Sequence, residues 1–258
     1  MKKRLITAII LLAIFIPLII IGGIYFEIAL ALISALAFKE LLDLISKEKK
    51  MPLLIKILSY ITVIILTLCM DSFLPCILLS IILFFIPLIF IKEDNYTFID
   101  ALKIMGLVLF VGTLFYDLNY IRTLSLESFI YIVLITTLTD TFAYIGGKLF
   151  GKNKLIPRVS PNKTIEGSII GSLVGTIVPS IYYLYEINQG MNFLIIILIT
   201  IILSIFGQLG DLLFSSIKRR FNIKDFSNIL PGHGGILDRL DSILIVCAVY
   251  IIMKTLFL

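Results

Sequence analysis

Long runs of Ile, Leu, Val and Phe alternate with short polar stretches along the whole chain, and the runs are too long for strands. A helix that crosses a bilayer needs about 20 mostly apolar residues. Nine runs are candidates: 5–22, 24–38, 53–70, 73–91, 102–120, 128–147, 167–186, 193–213 and 237–257. The second is short, follows Gly22-Gly23 and contains Glu27. Met1-Lys2-Lys3-Arg4 before an apolar run mimics a signal peptide, but no small-x-small cleavage site follows cleanly, so the start reads as an uncleaved first helix. The pattern predicts an all-α, polytopic integral membrane protein of about nine transmembrane helices.

Composition removes the soluble alternative. Of 258 residues 60% are hydrophobic and only 15% charged, against about 25% charged in ordinary soluble domains. Mean hydropathy is +1.12. Charge then orients the spans. With nine spans and a cytoplasmic N-terminus, every one of the 22 Lys and Arg residues except Arg122 and Lys254 lies in or beside a cytoplasmic loop, as the positive-inside rule requires. Lys56, Lys103 and Arg239 flank those loops; deleting the second span would scatter the basic loops to both sides. The net charge of +5 therefore reads as loops facing anionic headgroups or anionic substrates, not as a nucleic-acid surface. The expected location is a bacterial cytoplasmic membrane, with the two C-terminal basic loops and the site they carry facing the cytoplasm. Cys69, Cys76 and Cys247 sit in apolar runs with no CxxC or Cys/His cluster and read as core thiols.

Polar residues at membrane depth are confined to the C-terminal half. Residues 1–127 look like scaffold and 128–258 like the catalytic region of one continuous membrane domain. Asp211 ends a span whose last turns hold Gly207, Gln208 and Gly210, small and amide residues that let another backbone approach. Ser215, four residues on, shares its helical face; Lys218 and Arg219 follow about two turns after Asp211. Asp238 and Asp241 are three apart and share a face, with Arg239 turned from it. Ionised groups beside hydrocarbon are costly and usually functional. Three carboxylates, a hydroxyl and a cationic rim suit Mg²⁺, which takes one or two carboxylates with waters and phosphates; the alternative is an Asp–Arg network locking two helices.

Two loops add to this. His233, the only histidine, lies in Pro231-Gly232-His233-Gly234-Gly235 before a helix start, where backbone N–H groups can receive an anion. It cannot build a zinc site alone; phosphate contact and loop positioning both remain open. The other loop, Gly146 to Gly167, contains Lys148, Lys152, Lys154, Arg158 and Lys163. Gly146 to Lys152 has the GxxxxGK spacing of a P-loop, yet Asn153 replaces the Ser/Thr and a membrane helix precedes it in place of a strand, so that match fails. Its cations are a landing site for a triphosphate or ordinary loop charge. Ser160-Pro161-Asn162-Lys163-Thr164 reads as a tight turn into the next helix, with Glu166 in its first turn. Asp140, near Thr139 and Tyr144, is a fourth ligand or a partner for Lys163.

Taken together these residues resemble the phosphatidate cytidylyltransferase (CDP-diacylglycerol synthase) family. The family signature stands here as Ser215…Lys218-Arg219, Lys224-Asp225 and Pro231-Gly232-His233-Gly234-Gly235-Ile236-Leu237-Asp238-Arg239-Leu240-Asp241. A second block joins Asp140, Ala143-Tyr144, Gly147-Lys148, Phe150-Gly151-Lys152, Ser160 to Thr164 and Glu166-Gly167, so the likeness spans roughly residues 135–245. Ser215-Ser216 stands where many members have Glu-Ser, so the family serine is one or the other; Ile165 stands where an aromatic is common. The resemblance implies CTP plus phosphatidic acid giving CDP-diacylglycerol and pyrophosphate with Mg²⁺, with a second cation allowed for, and suggests a homodimer. It implies metal ligands among Asp211, Asp238, Asp241 and Asp140. It makes Asp211, Lys218, Arg219, His233, Asp238 and Asp241 the catalytic set. Lys148, Lys152, Ser160, Asn162, Lys163, Thr164, Ser215 and Ser216 become the substrate-binding set.

Three other readings compete. An ion-coupled transporter would carry paired polar helices in both halves, and the polarity here is one-sided. A CDP-alcohol phosphotransferase would need DG-x-x-AR…G-x-x-x-D-x-x-x-D, which is absent. A polyprenol or dolichol kinase-like enzyme also uses CTP in a membrane, but lacks the Pro-x-His-Gly-Gly…Asp-Arg-x-Asp string.

Overall fold

The computed structural model describes residues 2–47, 49–69, 73–188 and 190–257; Met70, the last residue of the third expected span, lies outside them. The apolar runs fold as helices α1 (Lys2–Ile21), α2 (Gly23–Ile45), α3 (Leu53–Leu68), α4 (Phe73–Phe85), α5 (Pro87–Phe90), α6 (Phe98–Leu124) and α7 (Leu126–Phe150). Strands β1 (Lys154–Ile156) and β2 (Ser160–Thr164) follow, then α8 (Ile165–Glu186), α9 (Phe193–Arg220) and α10 (Leu237–Phe257). The architecture is all-α with one very small sheet. Among the described residues six stretches are long and apolar enough to cross a membrane: Phe73–Phe90 and α6, α7, α8, α9 and α10. Ile9–Ile21 and Leu53–Leu68 are shorter apolar helices.

Local chemistry explains where the helices stop. Gly22 and Gly23 both take positive φ, at 66° and 56°, a conformation cheap only for glycine, and α1 ends there. Pro87 has no N–H to donate and opens α5, separating it from α4 within the expected 73–91 run. Several helices outrun the apolar pattern. α6 continues past residue 120 to Leu124 and α7 past 147 to Phe150, α2 past 38 to Ile45, and α9 past 213 to Arg220, carrying Asp211, Ser215 and Lys218 on one continuous helix.

Two compact units make up the chain. The first comprises 1–120 and 226–237, the second 121–225 and 238–258. In the first, α1 packs on α2, α2 on α3 and α3 on α4. Phe38, Ile55, Val63, Leu66, Phe84 and Phe115 are fully buried. Lys49 holds Asp100 at 2.7 Å, and the Asn119 amide donates to the Thr67 carbonyl at 3.0 Å. Cys69 and Cys76 are free thiols 2.7 Å apart. Large apolar side chains such as Ile20, Ile24, Leu32 and Leu53 point outward, as they do where the surroundings are hydrocarbon.

In the second unit α8 packs on both α7 and α9. It does so with two stripes of small residues. Gly167, Gly171 and Gly175, each four apart, meet α7 so closely that a Cβ on Gly171 would stand 2.5 Å from the Thr139 carbonyl and one on Gly167 2.5 Å from the Ala143 carbonyl. Beside them runs a hydroxyl stripe that bonds α9. The Ser168 hydroxyl donates to Gln208 Oε1 at 2.5 Å, Gln208 Nε2 donates to Ser172 Oγ at 2.7 Å, and the Ser180 hydroxyl donates to Thr200 at 3.0 Å. Thr139 of α7 joins Ser204 of α9 at 2.8 Å. Small residues for close approach and hydroxyls for interhelical bonds are what hold helices together in lipid, where apolar burial gives no drive.

Residues 160–164, expected as a turn, form β2, antiparallel to β1 with Lys154 opposite Thr164 and Ile156 opposite Ser160. Thr164 then caps α8, its hydroxyl accepting from the Gly167 N–H at 3.2 Å. Glu166 in the first turn reaches back to the Lys152 N–H at 3.1 Å and the Asn153 amide at 2.8 Å. The hairpin is thus pinned to the end of the helix that follows it.

Candidate active site

The second unit encloses a polar cavity of about 580 Å³, inside the range of small-molecule sites. α7 supplies Asp140, Tyr144 and Lys148, the hairpin Asn162, Lys163 and Thr164, α9 Gln208, Asp211 and Lys218, and α10 Asp238, Arg239 and Asp241. The helical residues reach it by helical spacing. Asp140, Tyr144 and Lys148 are successive i, i+4 positions, and Asp211 and Lys218 are two turns apart.

Charges inside the cavity are interleaved. Lys163 and Asp211 form an ion pair, each about a quarter exposed. Lys218 Nζ lies 2.6 Å from Asp238 Oδ1, with the two side chains 10% and 4% exposed. The Ser215 hydroxyl donates to Asp211 at 3.3 Å. Lys163 therefore pairs with Asp211, where Asp140 had been the expected alternative. Asp140, Asp211 and Asp241 line the same cavity from three different helices. Counting Asp225, five carboxylates face Lys148, Lys163, Lys218 and Arg239. A polyanion entering such a lining would meet net repulsion unless a cation entered too.

Hard oxygen donors in excess of lysines are the right chemistry for Mg²⁺. Asp140, Asp211 and Asp241 share the cavity, while among the described residues no three His, Cys, Asp or Glu groups are drawn into one coordination sphere. The cavity as it stands therefore offers at most two carboxylates to any one cation. Asp238, expected as a metal ligand, is engaged by Lys218.

The other expected site residues separate into three groups. Arg219 turns away from the cavity into a smaller cleft with Arg158, Val159, Ser216 and Arg220, where its Nε donates to the Val159 carbonyl at 3.3 Å and its Nη1 to Ile223 at 3.0 Å. Lys152 and Ser160 belong to the hairpin segment but not to the cavity wall. His233 belongs to the first unit, between Gly232 and Gly234 with φ of 78° and 88°. Its N–H donates to the Leu230 carbonyl at 2.9 Å, and Leu230 bonds Gly234 in return at 2.9 Å, a turn only glycines permit at those two positions.

Sequence reasoning missed three features. Arg239, expected to point away, lines the cavity beside Asp238 and Asp241. Ser168 forms part of its wall beside Gln208; the signal was the four-residue repeat of Ser168, Ser172, Thr176 and Ser180. Glu40 carried no visible signal, yet its buried carboxylate holds the segment before Asp238. It accepts from the Ser227 hydroxyl at 2.5 Å, the Ile236 N–H at 2.8 Å and the Leu237 N–H at 3.0 Å.

Comparison with known proteins matches residues 2–257 to a model of the cytidylyltransferase family. The chain is 41% identical over 250 residues to a phosphatidate cytidylyltransferase of Staphylococcus haemolyticus, covering 95% of this chain and 96% of that protein. Proteins of the same description from Staphylococcus epidermidis and Staphylococcus aureus are also 41% identical, over 251 residues with the same coverage.

Proposed function

The chain belongs to the cytidylyltransferase family, and we propose that its cavity transfers CMP from CTP to phosphatidic acid, giving CDP-diacylglycerol and pyrophosphate. One observation carries this reading: interleaved lysines and aspartates line a single cavity on apolar helices, so a polyphosphate and a lipid phosphate can meet there. A phosphate oxygen of phosphatidic acid attacks the α-phosphorus of CTP, and the bond to the β-phosphate oxygen breaks. The nucleophile needs little general-base help, because a phosphomonoester's second pKa is about 6. Catalysis then rests on alignment and on neutralising charge as pyrophosphate leaves.

The lining residues divide that work. Lys163, Lys218, Lys148 and Arg239 hold phosphate oxygens and stabilise the leaving pyrophosphate. Asn162 and Thr164 offer uncharged polar contacts. One or two of Asp140, Asp211 and Asp241 would hold Mg²⁺, which when bound neutralises phosphate charge and polarises the phosphorus. The Ser215 hydroxyl steadies Asp211, and Lys218 keeps Asp238 from lying buried and uncompensated. The cavity faces the cytoplasm, as the clustering of Lys and Arg in 148–166 and 214–239 supports. Assembly as a homodimer is part of the same proposal, to be checked by cross-linking in the membrane.

The test is direct. Purified protein given labelled CTP, phosphatidic acid and Mg²⁺ is expected to yield a CDP-lipid and pyrophosphate in equal amounts. No product in lipid-containing detergent that supports a known cytidylyltransferase would overturn the assignment.

A further inference from the structure

Glu40 is a carboxylate where none would be tolerated idly. It is 2% exposed on α2, with Ala37 buried one turn before it and Leu44 one turn after, and a buried charge must be bonded or it costs several kcal/mol. Its compensation is specific. Oε1 receives the Ser227 hydroxyl and the Ile236 N–H, and Oε2 receives the Leu237 N–H. Ile236 and Leu237 open α10, so the carboxylate satisfies two otherwise orphaned donors and sits at the positive end of the helix dipole. Gly235 is part of the fit. A Cβ there would stand 2.5 Å from Glu40 Oε1 and 2.8 Å from its Cδ, so only glycine lets the carboxylate come this close. Thr7 adds a further hold, its hydroxyl donating to the Pro231 carbonyl at 3.0 Å.

Everything so held belongs to the segment 226–237, which carries Pro231 to Gly235 and ends one residue before Asp238. We propose that Glu40 is a positioning residue: it fixes the conformation of this segment up to Leu237, the residue from which α10 runs on to Asp238 and Asp241. The role rests on the reading of the cavity as the cytidylyl-transfer site. Glutamine cannot replace it, because one carboxylate oxygen becomes an NH₂ facing an N–H or O–H donor.

The test measures Glu40→Gln, Glu40→Asp, Gly235→Ala and the double variant Glu40→Asp/Gly235→Ala in native-like lipid. In Glu40→Gln, kcat is expected to fall about 10- to 100-fold, the scale of a misplaced catalytic group, with KM for CTP little changed because the lysines of the cavity are untouched. Glu40→Asp shortens the side chain and Gly235→Ala fills the space so vacated, so each is expected to lower kcat alone and the pair to recover part of the loss. A kcat for Glu40→Gln within twofold of the parent overturns the proposal, as does a double variant no better than the product of the singles. Ser227→Ala, which removes one donor only, serves if the Glu40 variants do not fold, and is expected to lower kcat with KM unchanged. Hydrogen exchange of residues 227–237 gives a readout independent of turnover. Faster exchange confined to that segment in Glu40→Gln supports the positioning role, and unchanged exchange overturns it. An inactive parent with this exchange response would sink the cytidylyl-transfer reading and leave the anchoring intact.

Discussion

Lys218 holds Asp238 across twenty residues of sequence, Nζ to Oδ1 at 2.6 Å, with neither side chain more than 10% exposed. A pair this deep is worth little compared with two apolar residues, but removing one member strands the other, at about 3–5 kcal/mol. Lys218→Met is therefore expected to lower the thermal unfolding midpoint sharply, and Lys218→Met/Asp238→Leu to restore most of it. Turnover should stay lost in both. Activity returning with stability would reduce the pair to a structural lock.

The Lys163–Asp211 pair makes the opposite prediction for stability. It is about a quarter exposed, and pairs in contact with water contribute about 0–1 kcal/mol. Asp211→Asn should leave the unfolding midpoint nearly unchanged while turnover falls at least about 100-fold, the scale of losing one preorganised electrostatic contact. Full Mg²⁺-dependent turnover in that variant would remove Asp211 from the metal set.

Chelation separates the metal proposal from the fold. EDTA is expected to abolish product formation, and added Mg²⁺ to restore it, with the helical circular dichroism unchanged throughout. Activity that persists in excess chelator would exclude a divalent ion from the chemistry.

The packing of α7 on α8 predicts a strong asymmetry between two glycines. Gly171→Ala drives a Cβ to 2.5 Å from the Thr139 carbonyl and 2.7 Å from the Ala143 Cβ, an overpacking that costs about 1–3 kcal/mol. Gly106→Ala in α6 meets nothing within 4 Å and should be neutral or stabilising by up to about 1 kcal/mol. Unfolding midpoints of the two variants in one detergent decide it.

How far the sequence reached depended on the range of the interactions involved. Helix positions were legible because apolar runs report on the solvent of each segment alone, and Asp211, Asp238 and Asp241 stood out because charge beside such runs is expensive. Orientation around a helix was less secure. Lys218 and Arg219 were grouped as one rim, yet neighbours on a helix point about 100° apart, and only Lys218 reaches the cavity. Arg239 erred the other way, since a long flexible side chain can reach back round its helix. The strand at 160–164 was invisible because its partner, 154–156, is too short to show a period. Glu40 was out of reach altogether: its partners lie 187 to 197 residues away, and nothing local marks an acid that serves a distant backbone.

The glycine and hydroxyl stripes of α8 have a consequence for width. An ordinary helix carrying Leu or Ile keeps its neighbours 8–10 Å from its axis; one faced with glycine on one side and serine on the other admits both more closely. Asp140 on α7 and Asp211 on α9 line the cavity from the two helices that this slender one packs against. Bulk added to α8 would act as a wedge, pushing apart the helices that carry two of the cavity's carboxylates.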